Sequence, residues 1–390
     1  MGERSVALCL SGGGYRATLF HLGAVRRLHE VGLLRQVDAV SSVSGGSIFA
    51  AVLADLAIER GWEGGLALDD YEPFAERVRA VTTHDLRTGP FLRHVAWNWL
   101  EPRPRVRAFE RLLAEHVSSR RLEQLPRAPR FVFCATDVTH GASWEFARDR
   151  VGSYRAGQLR GGIAWPLARA VAASACFPPV FGPLPIGSAA VFRGGRIRRR
   201  LGADGAASPR VVLSDGGVYD NLGLEPVWKS HDTLFVSDGG ATFDFQASSN
   251  PVRRLLRYTS VATSQVRALR FRMLYQRLRA GQVQGATWSL RVPADDGALG
   301  YSDGLRESAI EQIRTDLDRF TAAEQQILEN HGYCVAAARL GAARLTGLTL
   351  PPAPPPRPPH PAWMDEQRAA AALRLSSRRM VPARLLGLTR

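Results

Sequence analysis

SVALCLSGGGYRATLFHLGAVRRLHEVGLLRQVDAVSSVSGGSIFAAVLADLAI, residues 5–58, carries two successive strand–helix units. Ser5 to Leu10 is a short apolar run, stopped by Ser11 and the glycines Gly12, Gly13 and Gly14. Leu19, Leu22, Val25 and Leu28 then recur at helical spacing between Ala17 and Val31, and Gly32 supplies a stop. Val37 to Ser42 reads as a second strand, and Gly45 to Ile58 as a second helix. Strands that alternate with helices bury both faces of a sheet, so the expected fold class is α/β with a mainly parallel central sheet flanked by helices.

Outward from this stretch the pattern continues. Residues 62–130 are irregular and rich in aromatics and arginine, and read as helices and loops decorating the sheet. Arg130 to Thr136 is another strand, and Ala168 to Ala175 starts a helix that must stop at Pro178 and Pro179. Gly187 to Pro209 is a polar insertion with Arg193, Arg196, Arg198, Arg199 and Arg200. Val211 to Asp215 and Thr233 to Asp238 are short strands, each followed by two glycines. Long helical regions are expected over Pro251 to Arg279 and Ser308 to Ala338. Residues 351–361 hold eight prolines in eleven positions, a composition that favours extended polyproline. The expected organisation is one domain over 1–345, a Pro-rich linker over 346–362 and a basic C-terminal segment over 363–390. Removal of 351–390 is expected to spare turnover of a soluble substrate and to weaken contact with anionic surfaces.

The 390 residues are 45% apolar and 22% charged, which suits a globular chain with a buried core. No apolar run approaches the roughly 18–20 residues of a membrane span, and Met1 to Arg4 lead directly into the first strand, leaving no room for a signal peptide. Cys9, Cys134, Cys176 and Cys334 are far apart, without metal-ligand spacing, and read as buried thiols of a reducing compartment. A cytoplasmic protein in peripheral contact with membrane is the expectation. The net charge of +15 comes almost wholly from arginine, since Lys229 is the only lysine. Such a balance has two readings, a compositional bias and an anionic partner.

Three segments carry chemistry. Gly12, Gly13, Gly14, Tyr15 and Arg16 join a strand to a helix, where a glycine loop turns backbone N–H groups toward one point and the helix adds its positive end. The loop lacks the third glycine of a dinucleotide fingerprint, because Ala17 stands there, and it lacks the Gly-Lys-Ser/Thr of a P-loop; a tight turn is the plain alternative. Ser42, Val43, Ser44, Gly45 and Gly46 form a strand-to-helix turn that would lift the Ser44 hydroxyl from the sheet, against the alternative of an N-capping serine. Asp215, Gly216 and Gly217 end a strand, where open α/β sheets place functional groups, although an Asp-Gly turn is common. Asp238, Gly239 and Gly240 repeat the pattern and compete with it; on a parallel strand next to that of Asp215, about 4.8 Å away, Asp238 would stand close enough to raise the pKa of Asp215 without being the base itself.

Taken in order, these segments resemble the patatin-like phospholipase family. The resemblance rests on Gly12 to Arg16, on Ser44 to Gly46, on Ala173 to Phe181 and on Asp215 to Asn221, and it spans about residues 5–245. It implies a three-layer α/β/α fold and a serine acyl hydrolase that cleaves carboxylic esters of phospholipids or related lipids through an acyl-serine intermediate. Ser44 is then the nucleophile and Asp215 the general base and acid of a Ser–Asp dyad. Gly12, Gly13, Gly14 and Arg16 form the oxyanion hole, and Ser174, Phe177 and Pro178 shape the pocket wall. No metal or other cofactor is implied. A Ser–Asp–His triad through His231 or His331 is the rival, although neither histidine lies in a glycine-bounded strand-end loop. Arg193 to Arg200 and the arginine-rich end offer charge toward an anionic membrane. Two readings of other classes remain beside this one: a catalytically silent patatin-like regulator, and a basic nucleic-acid-binding or scaffold protein. The second is disfavoured because the basic residues are dispersed and match no nucleic-acid module.

Overall fold

Val6–Leu10 (β1) is buried along its whole length because it lies between two parallel neighbours, Ala39–Val43 (β2) and Thr233–Asp238 (β9). The computed structural model describes residues 5–62, 66, 68–88, 103–160, 164–178, 181–187, 210–240, 251–293, 299–348, 350–374 and 376. Among them, Arg130–Asp137 (β3) and Gln284–Ser289 (β10) complete a set of five parallel strands in the order β10–β9–β1–β2–β3. An antiparallel extension follows β3: β4 (Ala142–Phe146), β5 (Arg150–Ser153) and β6 (Gly157–Arg160). The α/β sheet, mainly parallel in its centre, is as expected from the strand–helix alternation.

The two faces of β1 go to different cores. Val6, Leu8 and Leu10 pack with helices α1 (Gly14–Glu30), α2 (Gly45–Glu59) and α3 (Glu72–Thr82), and with a later helix over Ala322–Ala342. Ala7 and Cys9 face a smaller cluster, where Leu274, Phe271 and Leu278 of the helix Pro251–Arg279 meet Leu222, Leu224 and Val227. We number Arg103–His116 α4, Leu167–Ser174 α5, Pro251–Arg279 α6, Ala322–Ala342 α7 and Glu366–Leu373 α8. Helices thus cover both faces, the arrangement a near-continuous apolar strand requires.

The strand that matters most to the site is β8 (Arg210–Asp215), paired antiparallel with β7 (Leu184–Gly187) and with the end of β3. β2 pairs with β3 as far as Val43↔Cys134. The next residue of β3, Ala135, pairs with Asp215. β4 occupies the other edge of β3 at these positions, so β2 and β8 share one edge and run toward each other along it. Chain direction alone therefore brings the residue after β2, Ser44, to the end of β8.

Two sequence expectations change here. β8 does not neighbour β9, as reading them as adjacent parallel strands would require, because β1 and β2 lie between β9 and β3. The helix expected from Ser308 is replaced by short turns over Asp303–Leu305 and Arg306–Ile310, and α7 begins only at Ala322. The intervening stretch folds over α1 instead: the Tyr15 N–H donates to the Asp316 carbonyl (2.9 Å), and a Cβ at Gly14 would meet that same carbonyl.

The Pro-rich run is laid against the body as a strap. The Tyr333 hydroxyl accepts from the Arg357 N–H (2.9 Å), and Asn330 bonds both the N–H and the carbonyl of His360. The His360 ring bonds buried Glu329 at 2.8 Å. Burial alone would raise the Glu329 carboxyl, but His360, Arg26 and Arg79 outweigh it and lower its pKa to about 2. Further along, the Trp363 indole donates to Gln326, while Ala369 and Leu373 are buried in the main core. Residues 377–390 and the cluster Arg193 to Arg200 lie outside the described residues. These contacts tie residues 351–374 to the body of the protein. Truncation after residue 350 is expected to cost roughly 3–5 kcal/mol through lost burial and lost hydrogen bonds. A thermal unfolding midpoint equal to that of the full chain would refute this.

Candidate active site

Ser44 immediately precedes α2 with φ 51° and ψ −116°, and among the described residues it is the one non-glycine with positive φ. Such a conformation costs on the order of 1–3 kcal/mol and persists only where the surroundings enforce it. The enforcement is visible in its neighbours. A Cβ on Gly45 would lie 2.1 Å from the Gly14 carbonyl, and one on Gly46 would lie 2.4 Å from the Leu10 carbonyl. The elbow is thus pressed backbone to backbone against β1 and the glycine loop. The Ser44 hydroxyl makes no capping bond to α2, so the N-cap alternative does not describe this side chain.

A chain of hydroxyls holds the elbow from below. The Ser44 N–H donates to Ser174 Oγ (3.0 Å), which in turn donates to the Cys134 carbonyl at 2.6 Å. Ser47 lies 2.9 Å from Ser174, and Ser42 lies 3.0 Å from Ser47. Ser174 is fully buried, and it supports the Ser44 backbone. Phe177 and Pro178 are exposed.

Asp215 is buried at the end of β8. Its Oδ1 accepts from the Gly217 N–H (2.7 Å), and its carbonyl accepts from Thr136 Oγ1 (2.7 Å). Oδ2 has no hydrogen-bond partner among the described residues. Burial raises the carboxyl to about 6, although Gly217 and then the Ser44 hydroxyl favour its charged form. The Ser44 hydroxyl and the Asp215 carboxyl are thus coupled across the site.

The glycine loop lies beside them: a Cβ on Gly12 would stand 3.0 Å from Ser44 Cβ. The Gly12 N–H is taken by the Asn221 carbonyl (3.2 Å). The N–H groups of Gly13 (φ 148°) and Gly14 (φ 57°) have no acceptor among the described residues. Of the three glycines expected to hold an oxyanion, these two are thus the ones with donors to offer.

Arg16 is buried, and its guanidinium leads elsewhere. Nη1 donates to the carbonyls of Ile313 (2.8 Å) and Glu311 (3.3 Å). Burial, and then the neighbouring Arg291 and Arg267, lower its pKa to about 10. Its observed contacts tie the first turn of α1 to the segment above it rather than to Ser44.

Asp238 is also buried but differs electrostatically. Arg267 Nε donates to its Oδ2 at 3.0 Å, Ser289 joins at 3.2 Å, and the Gly240 N–H donates to Oδ1 at 3.1 Å. Burial would raise this carboxyl, and Arg267 overrides it, so its pKa lies below the ordinary value. Asp238 does not contribute to the raised pKa of Asp215, contrary to the expectation of two adjacent carboxylates.

The histidine rivals are occupied elsewhere. His231 pairs with Ser230 (2.9 Å), and His331 with the Leu290 carbonyl (2.8 Å). Among the described residues no histidine bonds Ser44 or Asp215. Thr136 and Asn221 are the residues that sequence reasoning left without a role. Thr136 fastens Asp215 and accepts from the Tyr219 N–H at 3.1 Å, and only its place at a strand end hints at this. Asn221 closes the aspartate segment onto the glycine loop, and it lies within the very motif that carried the resemblance.

The model of the patatin-like phospholipase family matches residues 8–228, more than half of the chain. No curated protein matches it significantly. Human GIVD cytosolic phospholipase A2 aligns with a TM-score of 0.48 at 13% identity, over 96% of this chain and 60% of that one. Its complex with methyl gamma-linolenyl fluorophosphonate gives 0.51 at 14% identity, over 94% and 60%. The chain spans about three-fifths of the length of those structures, and at such identity the likeness concerns the fold. With its elbow, glycine loop and strand-end aspartate in the order and fold described, this chain belongs to the patatin-like phospholipase family.

Proposed function

We propose that the chain is a lipid acyl hydrolase in which Ser44 and Asp215 act as a dyad on carboxylic esters of phospholipids or related lipids. The observation that carries this reading is the meeting of β2 and β8 on one edge of β3, which sets a strained serine against a buried carboxylate with one unsatisfied oxygen. Asp215 Oδ2 takes the Ser44 proton as Oγ bonds to the ester carbonyl carbon. The carbonyl oxygen, now anionic, is received by the N–H groups of Gly13 and Gly14, each such donor being worth about 2.7–4 kcal/mol in the transition state. The tetrahedral carbon expels the alkoxide, which leaves as alcohol with the proton from Asp215. Water then repeats the cycle on the acyl-serine and frees the acid. Lipid as the substrate class is supported by the family. Among the described residues no helix is long and apolar enough to cross a membrane.

An aspartate near its ordinary pKa would be a weak base at neutral pH, and the raised value makes it a better one. Only the ionised form accepts the proton. kcat/KM on a short soluble ester should therefore rise about tenfold per pH unit below about 6 and level off above it. Absence of any turnover on esters of all chain lengths would end the hydrolase reading, and a flat profile from about pH 5 to 8 would remove Asp215 as the base.

A further inference from the structure

Six of the ten most exposed large apolar side chains among the described residues lie on one helix, α6. Tyr258, Val261, Val266, Leu269 and Met273 fall within an arc of about 140° around its axis at about 100° per residue. Tyr258 is 66% exposed and Leu269 50%. The opposite side of the helix is what holds it to the sheet, through Leu274, Phe271 and Leu278. An outward apolar face of this length on a helix already satisfied on its inner side calls for a partner.

The charge of α6 selects which partner. The helix carries eight arginines and no acidic residue. Arg267, Arg270 and Arg277 turn inward, to Asp238, to Asp220 and Glu225, and to the Trp228 carbonyl. Arg254, Arg272 and Arg279 are exposed, and the helical period sets all three along one border of the apolar arc, beside Val261. Apolar side chains bordered by exposed arginines are the complement of an anionic bilayer surface: the former enter the acyl boundary and the latter meet phosphate.

Position links this face to the catalytic loop. Arg267 holds Asp238, and the next residue, Gly239, presses its carbonyl to within 2.6 Å of where a Gly13 Cβ would stand. We propose that α6 is the membrane-docking element of this protein, lying in the interface of an anionic bilayer with Tyr258, Val261, Val266, Leu269 and Met273 inserted. Its purpose rests on the lipid-hydrolase reading, while its test does not.

The test uses flotation of the full chain with phosphatidylcholine vesicles, with and without phosphatidylglycerol. The parent should bind the anionic vesicles more tightly and lose binding as salt rises. L269Q/M273Q should weaken binding to anionic vesicles about tenfold or more. R254Q/R272Q/R279Q should weaken it about fivefold per charge removed and erase the anionic preference. Both variants should keep parental unfolding temperature and parental turnover of a short soluble ester, since none of these side chains lies in the site. Equal binding of the two vesicle types by the parent, or parental binding by both variants, overturns the proposal. So does light scattering that shows a dimer which L269Q/M273Q dissociates, since that gives the face to a second copy. If the parent binds vesicles as expected but hydrolyses nothing, the docking inference stands and the hydrolase reading falls.

Discussion

Replacing Ser44 by alanine should lower ester turnover by roughly 10⁴-fold or more, as loss of a serine nucleophile does elsewhere. Thermal unfolding should stay close to that of the parent. The hydroxyl makes no cap bond to α2, and the Ser44 N–H, which does bond Ser174, is backbone and survives the change. Alanine suffers the positive φ as serine does. Ser44→Gly removes that strain and should unfold at a higher temperature than Ser44→Ala while remaining equally inactive. A serine kept in an unfavourable conformation that glycine would relieve is the pattern expected when the side chain is retained for chemistry. Labelling by a fluorophosphonate, followed by peptide mass spectrometry, should place the adduct on Ser44. An adduct on another serine, or full turnover by the alanine variant, would end this assignment.

The central sheet was legible because its signals are local. A glycine stop after Leu10, a helical period from Leu19 to Leu28 and a serine between Val43 and Gly45 each report on a few consecutive residues, and the structure keeps those boundaries to within about three positions. What was not legible depends on pairing across the sheet. The strands ending at Asp215 and Asp238 look alike in sequence, and nothing local says that one runs antiparallel on the edge of β3 while the other runs parallel beside β1. The docking of the strap was not legible for a related reason. A run of prolines specifies an extended backbone, but whether that backbone is solvated or docked depends on partners such as Glu329, Asn330 and Tyr333, which stand far from it along the chain. Arg16 shows the same limit at a single residue: its place after the glycine loop could be read, and the carbonyls of Glu311 and Ile313 that receive it could not.

Asp215 and Asp238 should separate by the sign of their effects on stability as well as by their effects on rate. Asp215→Asn removes the proposed base and should cut turnover on the order of 10²–10⁴-fold. The native carboxyl titrates at about 6, above its ordinary value of 3.8. A carboxyl raised on folding favours the native state while protonated, at low pH, and that advantage is lost as pH rises through about 6. At about pH 8 the parent therefore holds an ionised group whose burial costs on the order of 3 kcal/mol, and the neutral Asp215→Asn variant should unfold at a higher temperature than the parent there. The gain should vanish near about pH 4. Asp238 runs the other way. Its carboxyl is held below the ordinary value by Arg267, so its contribution is present at neutral pH and is lost on acidification. Asp238→Asn leaves Arg267, largely buried, without its counter-charge, and a cost of about 3–5 kcal/mol is typical of breaking such a pair. Its turnover, measured in the fraction that remains folded, should fall far less than that of Asp215→Asn. If instead Asp238→Asn abolishes turnover in a folded protein and Asp215→Asn destabilises without affecting rate, the two carboxylates have exchanged roles and the dyad proposed here is wrong.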